Sequence, residues 1–383
     1  MATISKIHGR KILNSRGDWT IEVTLKLSNG ICVKTSVPEG ASSGKAEAVF
    51  VNPEKAIKNL KILEKNLVGQ NPDKQEKIDQ KLIKLDGTKN KSHLGANAIL
   101  GVSLAAARAA AADQKMPLWK HLLRISGLIS KPRTPKLFIN VINGGLHAKN
   151  NLDFQEYLII PKSQNIKTSI AIGTKIYQEL KKYLENHFGL GSTGIGDEGG
   201  FAPKFKSNLE PFEILGKVVL KCGFNRKVLY GMDAAASNVK IRKDQLFKIY
   251  KNLNLYYLED PFRETDFGSF TKINQELSNK TLICGDDLTA TNLKLMEKAK
   301  AENAINCIII KPNQIGTLTE TLEAVSYAKK WGWKIVVSHR SGETEDDFIA
   351  DLAYAIAADG IKLGAPARGE RIAKYNRLLE ICG

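Results

Sequence analysis

Apolar and polar residues alternate through residues 3 to 36, with TIEVTLKL and then ICVKTSV on either side of the turn Ser28-Asn29-Gly30. That pattern predicts antiparallel strands joined by a tight turn. A loop of small residues follows, Pro38-Glu39-Gly40-Ala41-Ser42-Ser43-Gly44, and then helical periodicity from Pro53 to about Leu85 and from Leu94 to about Leu123. These elements predict an N-terminal α+β domain over residues 1–125, and SGLISKPRTP (126–135) supplies the small and proline residues of a boundary. The second domain, residues 134–383, begins with the apolar run LFINVINGG. Further on, apolar runs close on one ionisable residue each: Asp233 after VLYGM, Glu259 after LYYL, Asp286 after LICG, Lys311 after CIII, His339 after IVVS and Lys362 after GI. The intervals are 26, 27, 25, 28 and 23 residues. A strand, a helix and two short loops need that length, so the rhythm predicts a parallel β/α barrel with these six groups at its C-terminal face. Between the strands, Leu318, Leu322 and Val325 form one apolar stripe and Ile349, Leu352, Ala353 and Ile356 another, which is core packing. The fold class expected is α/β, an α+β cap followed by a barrel.

Composition changes this picture little. Of 383 residues 43% are hydrophobic and 25% charged, as in an ordinary soluble protein, and the length suits two domains. The start, MATISKIHGR, lacks the apolar core of a secretory signal, and the alanine-rich stretch 96–112 carries Ser103 and Arg108, so it predicts a packed helix rather than a membrane span. Five scattered cysteines without a CxxC pair indicate reduced thiols and a cytoplasmic location. The net charge of +17 raises the question of a polyanionic partner. The lysines, however, are spread along helices among acidic residues, as in KNLKILEKN, with no aromatic-interleaved basic block, which argues against nucleic-acid binding.

Candidate chemistry is concentrated at the strand ends. Asp233, Glu259 and Asp286 each could cap the next helix, but three in register suit a hard divalent cation such as Mg²⁺, which takes oxygen ligands. Lys311 leaves an apolar strand at the next position, and serves either as a base or as a partner of the acidic cluster. Gly194-Ile195-Gly196-Asp197-Glu198-Gly199-Gly200 fits GxGxxG by letter, but two acids within it would oppose a pyrophosphate. It presents Glu198 either as an acid–base group or as part of a surface turn. His339-Arg340-Ser341-Gly342, between a strand and a helix, supplies a guanidinium, a hydroxyl and a helix N-terminus for a phosphate, with Ser341 also a candidate N-cap. His147, Gln155 and Glu156 add polar groups near a strand end.

Eleven segments taken in order resemble enolase over nearly the whole chain, among them VPEGASSG, NVINGGLHAKNNLDFQEYLIIP, GDEGGFAP, MDAAAS, EDPF, GDDLTATN, IIIKPNQIGTLTE and SHRSGETEDDFIADLA. The resemblance implies a cytoplasmic glycolytic lyase that interconverts 2-phosphoglycerate and phosphoenolpyruvate, with two Mg²⁺ ions, the second entering with substrate. It implies that Asp233, Glu259 and Asp286 hold the first ion and Ser42 the second. Lys311 is then the base, and Glu198 the acid, with Glu156, His147 and His339 nearby. Gln155, Arg340, Ser341 and Lys362 contact the phosphorylated acid. A binding protein on this scaffold would be expected to lack a catalytic residue, and none is missing; a sugar-acid dehydratase would not need Arg340-Ser341 and the GAS loop.

The chain is short for the family, with deletions after GASSGKAEA and after MDAAAS, and Trp19, Glu39 and Leu146 stand where the family has proline, serine and serine. A homodimer is expected without membrane insertion. Its interface is altered, because Glu380 stands where the family has an arginine that reaches a partner glutamate matching Glu22.

Overall fold

A computed structural model describes residues 2–40, 44, 46–129 and 131–383. Ser42 lies outside the described residues. Three strands open the chain, β1 (Ile4–Leu13), β2 (Trp19–Leu27) and β3 (Cys32–Ser36), forming an antiparallel sheet in sequence order. Four helices cover it. Pro53–Leu67 starts with proline in its first turn and with the Asn52 side chain accepting from the Glu54 amide, so two N-terminal devices fix its start. The alanine-rich helix Ala96–Asp113 is buried along almost its whole length. Gly101 lets it lie on β2: a Cβ there would sit 2.5 Å from Val23 Cγ2. No described helix is long and apolar enough to cross a membrane.

Eight strands then close a barrel: β4 (Lys136–Asn143), β5 (Glu156–Pro161), β6 (Val228–Asp233), β7 (Tyr257–Glu259), β8 (Leu282–Gly285), β9 (Cys307–Ile310), β10 (Lys334–Ser338) and β11 (Gly360–Lys362), with β11 returning to β4. One expectation fails here, because the barrel is not all parallel: β5 runs antiparallel to both β4 and β6. Between β4 and β5 there is only a short polar segment with one 3₁₀ turn, Gly145–His147, where a parallel crossover would need a helix. The six strands from β6 to β11 are parallel to their neighbours within that series, as the spacing predicts.

Side chains in the lower barrel are apolar: Phe138, Leu158, Ile160, Ile309 and Val336 pack with Tyr257. Phe138 meets Tyr257 edge to face, 4.8 Å between centroids, over Gly360, where a Cβ would fall 2.2 Å from the Phe138 ring. The capping domain is fixed over the opposite, C-terminal mouth. Glu39 and Gly342 exchange two backbone hydrogen bonds of 2.9 Å, Arg108 donates to Asp346 and Asp347 at 2.8 and 2.9 Å, and Asp79 accepts from the Thr319 amide at 2.9 Å.

Candidate active site

Strand geometry alternates side chains, so β7 turns Tyr257 and Glu259 inward and Leu258 outward. Successive strand ends therefore converge. Lys362, at the end of β11, is 2% exposed, and its Nζ lies 2.7 Å from Glu259 Oε2, 3.0 Å from Glu156 Oε2 and 3.6 Å from Asp233 Oδ2. Lys311, just past β9, donates to Asp286 Oδ2, whose other oxygen accepts from Gln314 Nε2 at 2.8 Å. Asp233 is steadied by the Ala235 amide at 2.9 Å and by Gln155 Nε2 at 3.3 Å. Burial and the charge of Asp233 push Glu259 up to about 8, and burial and Glu198 raise Glu156. Burial would lower the Lys362 ammonium, but Glu156, Glu259 and Asp233 outweigh it and raise it. At Lys311 burial is likewise overcome, by Asp286, so the ammonium is held charged.

This basin has more carboxylates than cations, which is the electrostatic setting a divalent ion would relieve. Glu259 Oε1 is buried with no hydrogen-bond partner, a free ligand atom within the predicted set. One grouping of donor atoms within 4.8 Å of one another is Asp260, Asp286 and Asp287, which shares only Asp286 with the predicted set of Asp233, Glu259 and Asp286. Both Asp260 oxygens, however, accept amides, from Asp286 at 3.0 Å and Asp287 at 2.8 Å. Asp260 is thus the anchor of the loop, and the donor set fits a cation held by its neighbours. A second group, His147, Glu156 and Glu198, is equally compact.

Glu198 is buried and not a surface turn. Asn140 Nδ2 donates to its Oε2 at 3.0 Å, His339 Nε2 lies 3.3 Å from the same oxygen, and His147 Nδ1 lies 3.5 Å from Oε1. Burial and the nearby Arg371 push His339 down to about 3, and burial lowers His147. Glu198 is raised by burial yet held below the usual carboxylate range by His339, His147 and Arg371.

The 339–342 segment differs from expectation in one respect. The helix after it starts at Phe348 with Asp347 as its N-cap, so Ser341 is not an N-cap and no helix terminus adjoins it. The intervening residues are spent on the domain junction instead. Arg340 is buried and already grips a carboxylate: its Nη1 and Nη2 donate to Glu47 at 2.8 and 3.1 Å, and Nη1 to Asn313 Oδ1 at 3.0 Å. Glu47 comes from the capping domain, as does Gly40 in the pocket lining. Sequence reasoning missed Glu47, Asn140, Gln314 and Arg371. Gly40, His147, Gln155, Glu156, Glu198, Asp233, Asp286, Lys311, His339, Arg340, Ser341 and Lys362 all line one pocket, and Glu259 lies beneath it against Lys362.

Carboxylates and ammonium groups facing one another in a capped β/α barrel define an acid–base enzyme that works on an anion. Within that class the comparisons are specific. Residues 4–122 match the enolase N-terminal domain, and residues 133–252 and 238–383 match the enolase C-terminal TIM barrel domain. The chain belongs to the enolase family. It is 42% identical to an enolase of Solanum lycopersicum over 423 aligned positions, covering 100% of this chain and 95% of the relative. An enolase of Methanopyrus kandleri is also 42% identical, with 100% and 96% covered, and enolase 2 of Hevea brasiliensis is 41% identical, with 99% and 94% covered. The enzyme class is that of a carbon–oxygen lyase, phosphopyruvate hydratase.

Proposed function

We propose that the chain catalyses Mg²⁺-dependent, reversible dehydration of 2-phosphoglycerate to phosphoenolpyruvate in glycolysis and gluconeogenesis, with the capping domain over residues 1–125 and the catalytic barrel over 134–383. The observation that carries this reading is the division of the basin. A lysine is held on the β8–β9 side by Asp286, while a buried glutamate is held by Asn140 from β4 and His339 beyond β10. Removing a proton beside an ionised carboxylate puts a second negative charge on the same oxygens, and hydroxide is a poor leaving group, so both a base and an acid are required. Bound Mg²⁺, one ion on Asp233, Glu259 and Asp286 and a second reached by Ser42, would stabilise that charge.

The residues then divide the work. Lys311 Nζ takes the C2 proton, the electron pair left behind forms the C2–C3 double bond, and the C3 hydroxyl departs as water with a proton from Glu198, whose carboxylate is ionised at rest and must first take that proton up from solvent. The contact of Lys311 with Asp286 holds its proton in the resting state, so base strength depends on weakening that contact. Lys362 meets the substrate carboxylate, with Gln155, Glu156 and His147 in the same pocket. Arg340 and Ser341 offer the phosphate contacts, and at Arg340 the phosphate must share the guanidinium with Glu47 or displace it.

A cytoplasmic location fits five free thiols. The expected homodimer must do without its usual ion pair. Glu22 is held inside its own chain by Arg10 at 2.8 Å and Lys34 at 3.3 Å, and Glu380 by Arg377 at 2.8 Å. A monomer mass in dilute solution would support a lost interface, and a tight dimer would refute it. The test of the reaction is formation of phosphoenolpyruvate, followed by ultraviolet absorbance, with and without a chelator. Turnover that needs Mg²⁺ is the expected result; a folded, Mg²⁺-saturated protein that makes none would overturn the reading.

A further inference from the structure

Helix Gly369–Cys382 buries Arg371, Lys374, Tyr375 and Leu378, so its core-facing stripe carries two cations where leucine would be ordinary. Lys374 is explained by its neighbours: Nζ sits 3.0 Å from Glu343 and donates to the Thr344 and Glu370 carbonyls. Arg371 has no such partner of its own; its nearest carboxylate, Glu370 at 3.3 Å, also takes Arg368 at 2.9 Å. Its terminal nitrogens are turned toward the site. Nη1 donates to His339 Nδ1 and, at 2.6 Å, to the Arg340 carbonyl; Nη2 donates to the Ser341 carbonyl at 2.7 Å and the Asp197 carbonyl at 3.2 Å.

We propose that Arg371 is a positioning residue for the acid step, fixing His339 as its Nε2–H tautomer against Glu198 and tying the 339–341 and 197–198 segments together. This rests on the reading of Glu198 as the acid. A guanidinium has donors and no acceptor, so the His339 Nδ1 it touches must carry the lone pair and the ring proton must be on Nε2. That nitrogen lies 3.3 Å from Glu198 Oε2, the oxygen that also accepts from Asn140. Asn140 donates to Oε2 and the His339 Nε2–H, which completes no hydrogen bond of its own, stands beside that oxygen, so Oε1 is the one left to take up the transferable proton. In the opposite tautomer, Nε2 would offer a lone pair to Glu198 and compete with substrate for that proton. Arg371 therefore keeps the adjacent imidazole from acting as a base toward the proton that Glu198 delivers.

The experiment uses ¹⁵N-histidine-labelled full-length protein, whose six histidines make the spectrum assignable. In the wild type His339 should read as a neutral ring protonated at Nε2. In Arg371→Lys the tautomer should become mixed. Exchange of the C2 hydrogen of 2-phosphoglycerate with solvent, which needs only the base, should stay within about threefold of wild type, while phosphoenolpyruvate formation falls at least tenfold, about the lower end of a general acid's contribution. An Nδ1–H ring in the wild type would overturn the proposal whether or not the variant folds. So would a variant in which both rates fall together, or neither falls. A wild type that makes no phosphoenolpyruvate at all would instead sink the reading of the reaction, and the acid-step role with it.

Discussion

Tyr257 and Glu259 stand two residues apart on one strand and one face, yet they belong to opposite kinds of interior. Below, Tyr257 packs with Phe138 and Ile309 in a dry, apolar barrel floor. Above, Glu259 shares Lys362 with Glu156 and Asp233, and the Tyr257 hydroxyl donates across the boundary to Glu259. The floor is held by shape, where each lost atom leaves a void. The mouth is held by charge, where buried like charges oppose one another and are stabilised only by partners. Stability should therefore reside in the floor and reactivity in the mouth, although the two meet within the three residues of one strand.

The sharpest way to break this division is Lys311→Ala. With Mg²⁺ saturating, kcat should fall by about 10²–10⁴-fold, the range for a positioned base, while thermal unfolding shows a single folded species. A variant within tenfold of wild type would end the assignment. Next in size is Ile309→Ala in the floor, expected to cost about 2–5 kcal/mol in denaturant unfolding with Mg²⁺ affinity and KM unchanged. A large change in either constant would show that floor and mouth are one unit. Third, chelation should lower wild-type stability by about 2–3 kcal/mol relative to protein in 100-fold excess of Mg²⁺ over its Kd. Glu259→Gln should lose that response in calorimetry without being less stable than wild type when metal-free. The smallest effect is Phe138→Leu, where losing the ring contact over Tyr257 should cost about 1 kcal/mol and leave turnover intact.

Legibility followed the same division. Asp233, Glu259, Asp286, Lys311, His339 and Lys362 could be read because each ends a run of apolar residues, and strand spacing carries them to one face. The reversal at β5 was less visible, although its signal existed: GGLHAKNNLDFQ is too short and too polar to hold a crossover helix. Glu47 and Arg371 had no local signal. A glutamate after a small-residue loop and an arginine on a helix both read as solvent-facing, and only the tertiary fold shows them buried against Arg340 and His339. The helix at 369–382 has the spacing of an ordinary amphipathic segment, so periodicity alone could not separate a buried guanidinium from an exposed one.

That helix follows every strand of the barrel along the chain. The strand ends are all made before it, so a nascent or prematurely terminated product could carry every basin ligand and still lack Arg371 behind His339. Domains form in order of emergence, and here the helix acts as a check on the acid half alone: a copy cut short before it would hold the parts of the site without the clamp that orients His339, and the dehydration would lag behind proton abstraction.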